Sequence, residues 1–402
     1  MNRRTALLST VAGFVAFSTA AFAQQATLKI GVMNDMSGPY ADYQGIGSVA
    51  ATKMAVDDFA KKYNVKVEVV SADHQNKADV GVSIARRWYE NEGVDVIMDI
   101  PNSAVALAVA NLTREKNKVF IGSGAGAATL TGAACSPNTI HWTYDTFAYG
   151  NTLGKALVKE GVKKWFFITA DYAFGKDLEK SAADAVVASG GVILGSARHP
   201  VNNADFSSYI LQAQASGADV IALANAGDDT NNTLKQAAEF GVGKKQRLAT
   251  LIFNPTNIAG LGLKVVQNVK VVNAFYWDQT PASRAFSDRF RAASPTQARP
   301  NDMQAGMYSA VLHLLKGMEK TKTAADGKAL VDAMKAIPTD DPIFGKGSIR
   351  VDGRKLHNMY LYETKTLEES KDKWDTFKLV TSIPGEEAFR SLAAGGCPLV
   401  KQ

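Results

Sequence analysis

Gly93-Val94-Asp95-Val96-Ile97 returns further along the chain as Gly217-Ala218-Asp219-Val220-Ile221. Each copy leads through an acid into an apolar run, then a turn and a helical stretch, the pattern of a buried strand in a parallel sheet. Around the first copy, residues 28–33, 65–70, 94–100 and 119–122 read as strands. The stretch reaching Phe59, the stripe Val80, Ile84 and Trp88, and residues 107–114 read as helices between them. Around the second copy, 164–169, 191–194, 220–224 and 247–252 read as strands. Residues following Gly175, 207–214 and 232–240 read as helices. Strand–helix alternation implies a doubly wound parallel sheet, and its recurrence implies two such α/β lobes. Met36-Ser37-Gly38 and Ala173-Phe174-Gly175 also occupy matching places, between first strand and first helix. Their offset differs from that of the first pair, so this is weak duplication and not a tandem array. Residues 269–275, 344–351 and 359–363 read as further strands, and 278–291, 303–319 and 328–337 as helices. Gly395-Gly396-Cys397-Pro398 excludes regular structure.

The length of 402 residues exceeds one ordinary domain, in keeping with two lobes. With 46% hydrophobic and 21% charged residues, the chain is neither disordered nor collagenous. Two cysteines exclude a Cys-rich metal module. Arg3 and Arg4, the apolar run 6–20 and Ala21-Phe22-Ala23 form a secretory signal peptide, with cleavage expected after Ala23. The alternative is a membrane anchor, but a spanning helix wants about 20 apolar residues. No cysteine near the cut offers a lipid anchor, and beyond Arg3-Arg4 the twin-arginine motif is poor, so ordinary secretion is favoured. Cleavage leaves 379 residues and lowers the net charge from +6 to +4 by removing two arginines. That charge is too small and scattered for nucleic acid. In an oxidising compartment Cys135 and Cys397 are expected to pair, the alternative being two buried free thiols. Pairing would tie the tail to the first lobe.

Catalytic signatures are missing. There is no Gly-x-Ser-x-Gly elbow and no phosphate-binding loop with its Gly-Lys-Ser/Thr ending. His74, His141, His199, His313 and His357 show no metal spacing. Asp228-Asp229-Thr230-Asn231-Asn232 lacks the glycine and distant glutamate of a calcium loop and reads as an acidic helix start. The small-residue run Ile121 to Ala127 misses the dinucleotide spacing, but its backbone N–H groups suit an anion. No enzyme activity, cofactor or metal is expected.

Four motifs, in this order and spacing, carry a resemblance. They are Ile30-Gly31-Val32 with Ser37-Gly38-Pro39-Tyr40-Ala41; the 93–97 strand with Ser103; Gly122 to Thr131; and Asp171-Tyr172-Ala173-Phe174-Gly175. The set resembles the type I periplasmic solute-binding proteins of ABC importers, the group that includes the leucine/isoleucine/valine-binding proteins. The resemblance implies two Rossmann-like lobes joined by a three-stranded hinge that closes on a ligand. It implies a first lobe of residues 24–145 plus 274–340, a second of 146–273 plus 341–380, and a tail of 381–402. It further implies a soluble periplasmic monomer that serves an inner-membrane permease with cytoplasmic ATPases.

The resemblance also assigns residues. In amino-acid-binding relatives the ligand carboxylate meets a serine at the position of Ser103 and the N–H groups of the next loop, here Gly124, Ala125 and Gly126. Such charge-assisted bonds contribute roughly 1.5–3 kcal/mol each. Gly126 stands where relatives carry threonine, so Ser123 or Thr129 would have to supply the hydroxyl. Ser103 also reads as the N-cap of the helix that follows. Phe174 matches the second-lobe aromatic that closes over ligand, with Tyr172 beside it and Ser37, Tyr40 and Tyr43 opposite. Asn225 and Asp228 follow the 220–224 strand. Relatives place an acid after the strand at 247–252 to pair an α-ammonium; this chain has Phe253-Asn254-Pro255. A carboxylate without an α-amino group is therefore favoured, unless Asp228 substitutes. The wording of 34–40, 142–145 and 167–172 looks like a branch linked to aromatic acids such as benzoates. Branched-chain amino acids, amides or urea, and a sensory binding module, stay open as alternatives.

Overall fold

The computed structural model describes residues 25–243 and 245–401. The signal peptide and its cleavage after Ala23 lie outside the described residues. The first lobe is built from β1 (Ala26–Asn34), α1 (Gly45–Phe59), β2 (Val65–Asp73), α2 (Ala78–Glu90), β3 (Val96–Asp99), α3 (Ser103–Glu115), β4 (Val119–Gly122) and β5 (Thr139–His141). Its sheet runs β2-β1-β3-β4-β5, all parallel, with Ile30 opposite both Val69 and Val96. Val96, Ile97 and Met98 are fully buried, as a central parallel strand covered on both faces requires. The α2 stripe Ile84, Ala85 and Trp88 packs onto one face beside Val105 and Val109 of α3.

The chain then enters the second lobe through α4 (Thr146–Lys159), β6 (Lys164–Ala170), α5 (Ala173–Ala188), β7 (Val192–His199), α6 (Ser207–Ala215), β8 (Val220–Ala224), α7 (Asp228–Glu239), β9 (Arg247–Thr250) and α8 (Pro255–Leu261). Its parallel sheet runs β7-β6-β8-β9, repeating the order of the first lobe's leading strands. β10 (Lys270–Asn273) closes this passage, and α9 (Pro281–Ala293), α10 (Asp302–Thr321) and α11 (Gly327–Ala336) return to the first lobe, where α10 packs along α1. A small antiparallel sheet of β11 (Thr339–Asp341), β12 (Gly345–Ile349) and β13 (Lys355–Leu356) follows. β14 (Met359–Thr364) then pairs with β10, and β15 (Phe377–Ile383) with β14.

The small sheet corrects one expected boundary. Residues 341–356 were placed in the second lobe, but β11 and β12 pack on α10 and α11, and Arg354 bridges to His141 beside β5. The third passage between lobes therefore falls at His357 and Asn358, not at residue 341. β12 lies within the strand expected at 344–351, but its partners are Thr-Asp-Asp and Lys-Leu, segments without strand composition, so β11 and β13 left no periodic signal. β5 and β15 were likewise not anticipated.

After β15 the tail returns to the first lobe as well. The Arg390 guanidinium donates to the Ala128 carbonyl, and Cys397 bonds Cys135 with their Cα atoms 5.6 Å apart. The expected clasp is present. Deep in the hinge, buried Asp302 accepts hydrogen bonds from the Tyr149 hydroxyl of α4 and the Ala274 N–H. One carboxylate thus links α10 to the second lobe and to a crossover. Burial pushes its pKa up to about 6.

Candidate functional site

Every segment facing the interlobe cleft lies just past the C-terminal end of a parallel strand, flanking the places where strand order reverses. The loop after β1 is organised by Asp35. Its carboxylate accepts from the N–H groups of Gly38 (2.7 Å) and Tyr40 (2.9 Å) and from Asn76 Nδ2 (2.7 Å). Tyr40 and Tyr43 are thereby held against the second lobe. The Tyr40 and Tyr172 hydroxyls meet at 2.8 Å, and the Tyr43 hydroxyl donates to Asn257 Oδ1 at 2.7 Å. The Asp228 N–H donates to the Pro39 carbonyl at 3.2 Å. The lobes meet here backbone to backbone: Gly227 has φ 62°, and a Cβ on it would lie 2.0 Å from the Pro39 oxygen.

Behind these contacts is a small cavity. Tyr40, Tyr43, Gln44 and Pro101 face it from the first lobe, Tyr144 from the first crossover, and Tyr172, Phe174, Ala226 and Ile252 from the second lobe. Its volume of about 10 Å³ is far below that of small-molecule pockets, so entry of an organic ligand requires the lobes to part. A wider recess of about 590 Å³ opens at the cleft mouth between Asp35 to Pro39, Gln75 to Lys77, and Tyr172, Val201 and Asn202.

The predicted residues divide into two groups. Tyr40, Tyr43, Tyr172 and Phe174 form the cavity wall. Gly124, Ala125 and Gly126 follow β4, and none of their three N–H groups donates to another group of the described residues. Their carbonyls are engaged, by the Tyr144 hydroxyl, the His141 ring and the Thr146 N–H respectively. Gly126 has a packing role: a Cβ there would lie 2.8 Å from the Phe174 ring. The threonine of the relatives would collide with the aromatic that closes this cleft. Ser103 is fully buried and its hydroxyl is unpartnered. It is not the N-cap, because Asn102 Oδ1 accepts from the Ala104 and Val105 N–H groups instead.

Neither Ser103 and Gly124 to Gly126 nor the remaining expected residues line the cavity. The Ser123 hydroxyl bonds the Met303 carbonyl and Thr143 within the first-lobe interior. Asn225 is turned into the second lobe, held by His199, Thr230 and Thr233. Phe253 is fully buried in core, and its neighbour Ile252 faces the cavity. Ser37 is exposed at the recess and donates to Asp73. Asp228 is exposed at the rim, where burial and nearby Asp42 raise its carboxyl pKa. Gln44, Pro101, Tyr144, Ala226 and Ile252 were missed; Tyr144 sat within a motif quoted for the resemblance, and the others gave no spacing signal.

No helix of the described residues is long and apolar enough to cross a membrane, and none of their acid, histidine or cysteine side chains cluster as metal ligands.

A sequence model described as periplasmic binding protein matches residues 27–372. The chain is 24% identical to a Leu/Ile/Val-binding protein homolog of Brucella abortus, over 89% of this chain and 92% of that protein. Among solved structures, a periplasmic binding protein from Burkholderia mallei is 45% identical with a TM-score of 0.90, covering 94% of this chain and all of the other. A branched-chain amino acid ABC transporter periplasmic ligand-binding protein from Burkholderia xenovorans is 37% identical with a TM-score of 0.81, over 92% and 99% of the two chains. An ABC transporter solute-binding protein from R. palustris, solved with 4-hydroxybenzoate, shares the fold at 21% identity and a TM-score of 0.82, over 90% and 98%.

Proposed function

The chain belongs to the periplasmic binding protein family, and on that premise we propose that it captures a small organic carboxylate between its lobes. The family consists of solute-binding proteins that work with ABC transporters. In this reading the protein is an exported, monomeric carrier that performs no turnover and hands its ligand to an inner-membrane permease. The observation that carries the carboxylate is the set of three unused N–H groups on Gly124, Ala125 and Gly126, after the same strand–loop sequence that brings the buried Ser103 hydroxyl to the neighbouring strand end. Unpaired N–H and O–H donors in a dry site select an anion. The walls of Tyr40, Tyr144, Tyr172 and Phe174 suit an apolar or aromatic body, and the relative from R. palustris was solved with such an acid.

Ligand is trapped when the lobes close and Tyr40 meets Tyr172. Release is the reverse motion, and the permease's task is to favour the open form. A panel of aromatic acids, short organic acids, amino acids and amides, read by tryptophan fluorescence and thermal shift, tests the reading. An acid at 100 times its Kd should stabilise the fold by about 2.7 kcal/mol. Ser103→Ala should weaken that acid about tenfold without changing the fold. Binding of neutral amides in preference to their acids would sink the carboxylate reading. The relatives named for branched-chain amino acids favour a second reading, in which leucine or valine binds. There the exposed Asp228 is a weak partner for an ammonium, and Asp228→Asn should leave binding unaltered.

A further inference from the structure

The loop that follows β4 is gripped from both lobes at a single residue, Ala128. The stretch Gly122 to Gly132 contains four glycines and three alanines, a composition whose backbone entropy makes it costly to fix. A short 3₁₀ turn, Ala128–Thr131, lies within it. The Ala128 N–H donates to Asp177 Oδ2 of α5 at 2.8 Å and, at 3.2 Å, to the Thr146 hydroxyl. That hydroxyl donates to the same carboxylate oxygen at 2.6 Å. The Ala128 carbonyl accepts from Arg390 Nη2 of the tail at 3.0 Å. Asp177 lies one turn after Phe174, so one face of α5 brings the ring against Gly126 and the carboxylate onto Ala128. Both contacts cross between lobes and are made as the lobes close.

The Arg390 contact is of another kind, because the tail around it is fastened to the first lobe. Phe389 is buried with its ring 4.4 Å from the Arg354 guanidinium. The Arg390 carbonyl accepts from Arg350 Nη1 at 2.8 Å, and Arg350 is itself paired with buried Asp352. Cys397 is bonded to Cys135. Gly132 leaves the room for this approach. A Cβ on it would lie 2.6 Å from Arg390 Nη2 and 2.7 Å from the Gly395 carbonyl oxygen. Its φ of −114° suits any residue, so the position requires a missing side chain and not a special backbone. When the lobes part, Asp177 leaves with α5 and Arg390 stays.

Taken with the reading that the lobes close on a ligand, on which it rests, we infer that Arg390 is a positioning residue for closure: from the disulfide-tied tail it holds Ala128 so that the N–H already faces the place Asp177 will take. The two dihedrals of Ala128 are all that separate the carbonyl Arg390 holds from the N–H Asp177 needs. Fixing one end therefore orders the other before closure. A loop ordered in advance spares the closing step that entropy, which raises the closed population and lowers the apparent Kd of whatever is trapped. The Cys135–Cys397 bond thereby makes the C-terminal tail part of the closing surface.

Amide exchange on the full chain, without added ligand, tests the positioning. The Leu130, Gly132 and Cys135 N–H groups bond carbonyls within this segment. Arg390→Met, which keeps the stem and removes the donors, should speed their exchange about tenfold while β8 is unchanged. Arg390→Lys, which keeps a donor, should restore the wild-type rates. Gly132→Ala, which displaces the guanidinium, should reproduce the loss and carries the test if Arg390→Met fails to fold. Calorimetry with 4-hydroxybenzoate as the probe then reads closure. Asp177→Ala and Arg390→Met should each weaken it about tenfold, and the double variant by much less than the product, because both act on Ala128. Wild-type exchange in Arg390→Met, equal exchange in the Met and Lys variants, or fully additive losses overturns the inference. A wild-type chain that does not bind 4-hydroxybenzoate counts against the aromatic-acid reading alone, and the exchange rates then decide the positioning by themselves.

Discussion

The two lobes are joined in opposite ways at front and back. At the front, across the cleft, the contacts are few and include no ion pair: the Tyr40–Tyr172 hydroxyl pair, Tyr43 on Asn257, the Ala128 N–H on the Asp177 carboxylate, and one backbone bond from Asp228 to Pro39. At the back the joint is covalent and charged. Chain passes at residues 142–145, 274–280, 357–358 and again near Pro384. Asp302 ties α10 to Tyr149 and Ala274, and the fully buried Arg354 donates to the Tyr144 carbonyl with Asp145 at 3.7 Å. A neutral hydroxyl pair at the surface of closure exchanges for water at little net cost. A buried ion pair does not, since separating it strands charge. The back is therefore an axle and the front a latch.

The largest expected effect comes from cutting the covalent part of the back. Replacing both Cys135 and Cys397 with serine should lower stability by about 2–5 kcal/mol in urea titration while both lobes keep their secondary structure. An unchanged midpoint would mean that the tail is dispensable to the axle. Next is acid. Burial lowers His313 to about 4 from an ordinary 6.5, and its neutral ring bonds the Met334 carbonyl beside Trp142. The unfolded chain takes up a proton that the folded chain refuses, so this stabilisation is complete above pH 6.5 and is lost as pH falls toward 4. The loss is on the order of 3 kcal/mol. His313→Gln should flatten the acid limb of a pH–Tm profile, and an unaltered limb would place the proton elsewhere. The smallest effect is at the front. Gly126→Ala puts a methyl against Phe174 and should cost the closed form about 1–3 kcal/mol by overpacking. Small-angle scattering should then show a more open particle and calorimetry a weaker ligand; full closure with full affinity would refute the latch.

The fold was legible because its strongest signals are long apolar strands and striped helices, as in β3, β8 and α2. β11 and β13 were not, since Thr339 to Asp341 and Lys355-Leu356 are held there by first-lobe packing that no local pattern records, whereas β12 lies within the strand expected at 344–351. In the cleft, Tyr40, Tyr43, Tyr172 and Phe174 could be placed because loops after parallel strands point to the site. Ser123, Asn225 and Phe253 were misplaced for the same reason: adjacent positions on a loop face opposite ways, and only hydrogen-bond partners such as Met303 and His199 reveal which.

The Cys135–Cys397 bond spans 262 residues, and the whole second lobe lies within that span. In an exported chain, Cys135 crosses into the oxidising compartment long before its partner and waits there as a reactive thiol. Every residue of the second lobe must pass before the pair is complete. Formation of this bond thus follows the passage of the whole second lobe, and a chain cut short before Cys397 is recognisable by one free thiol.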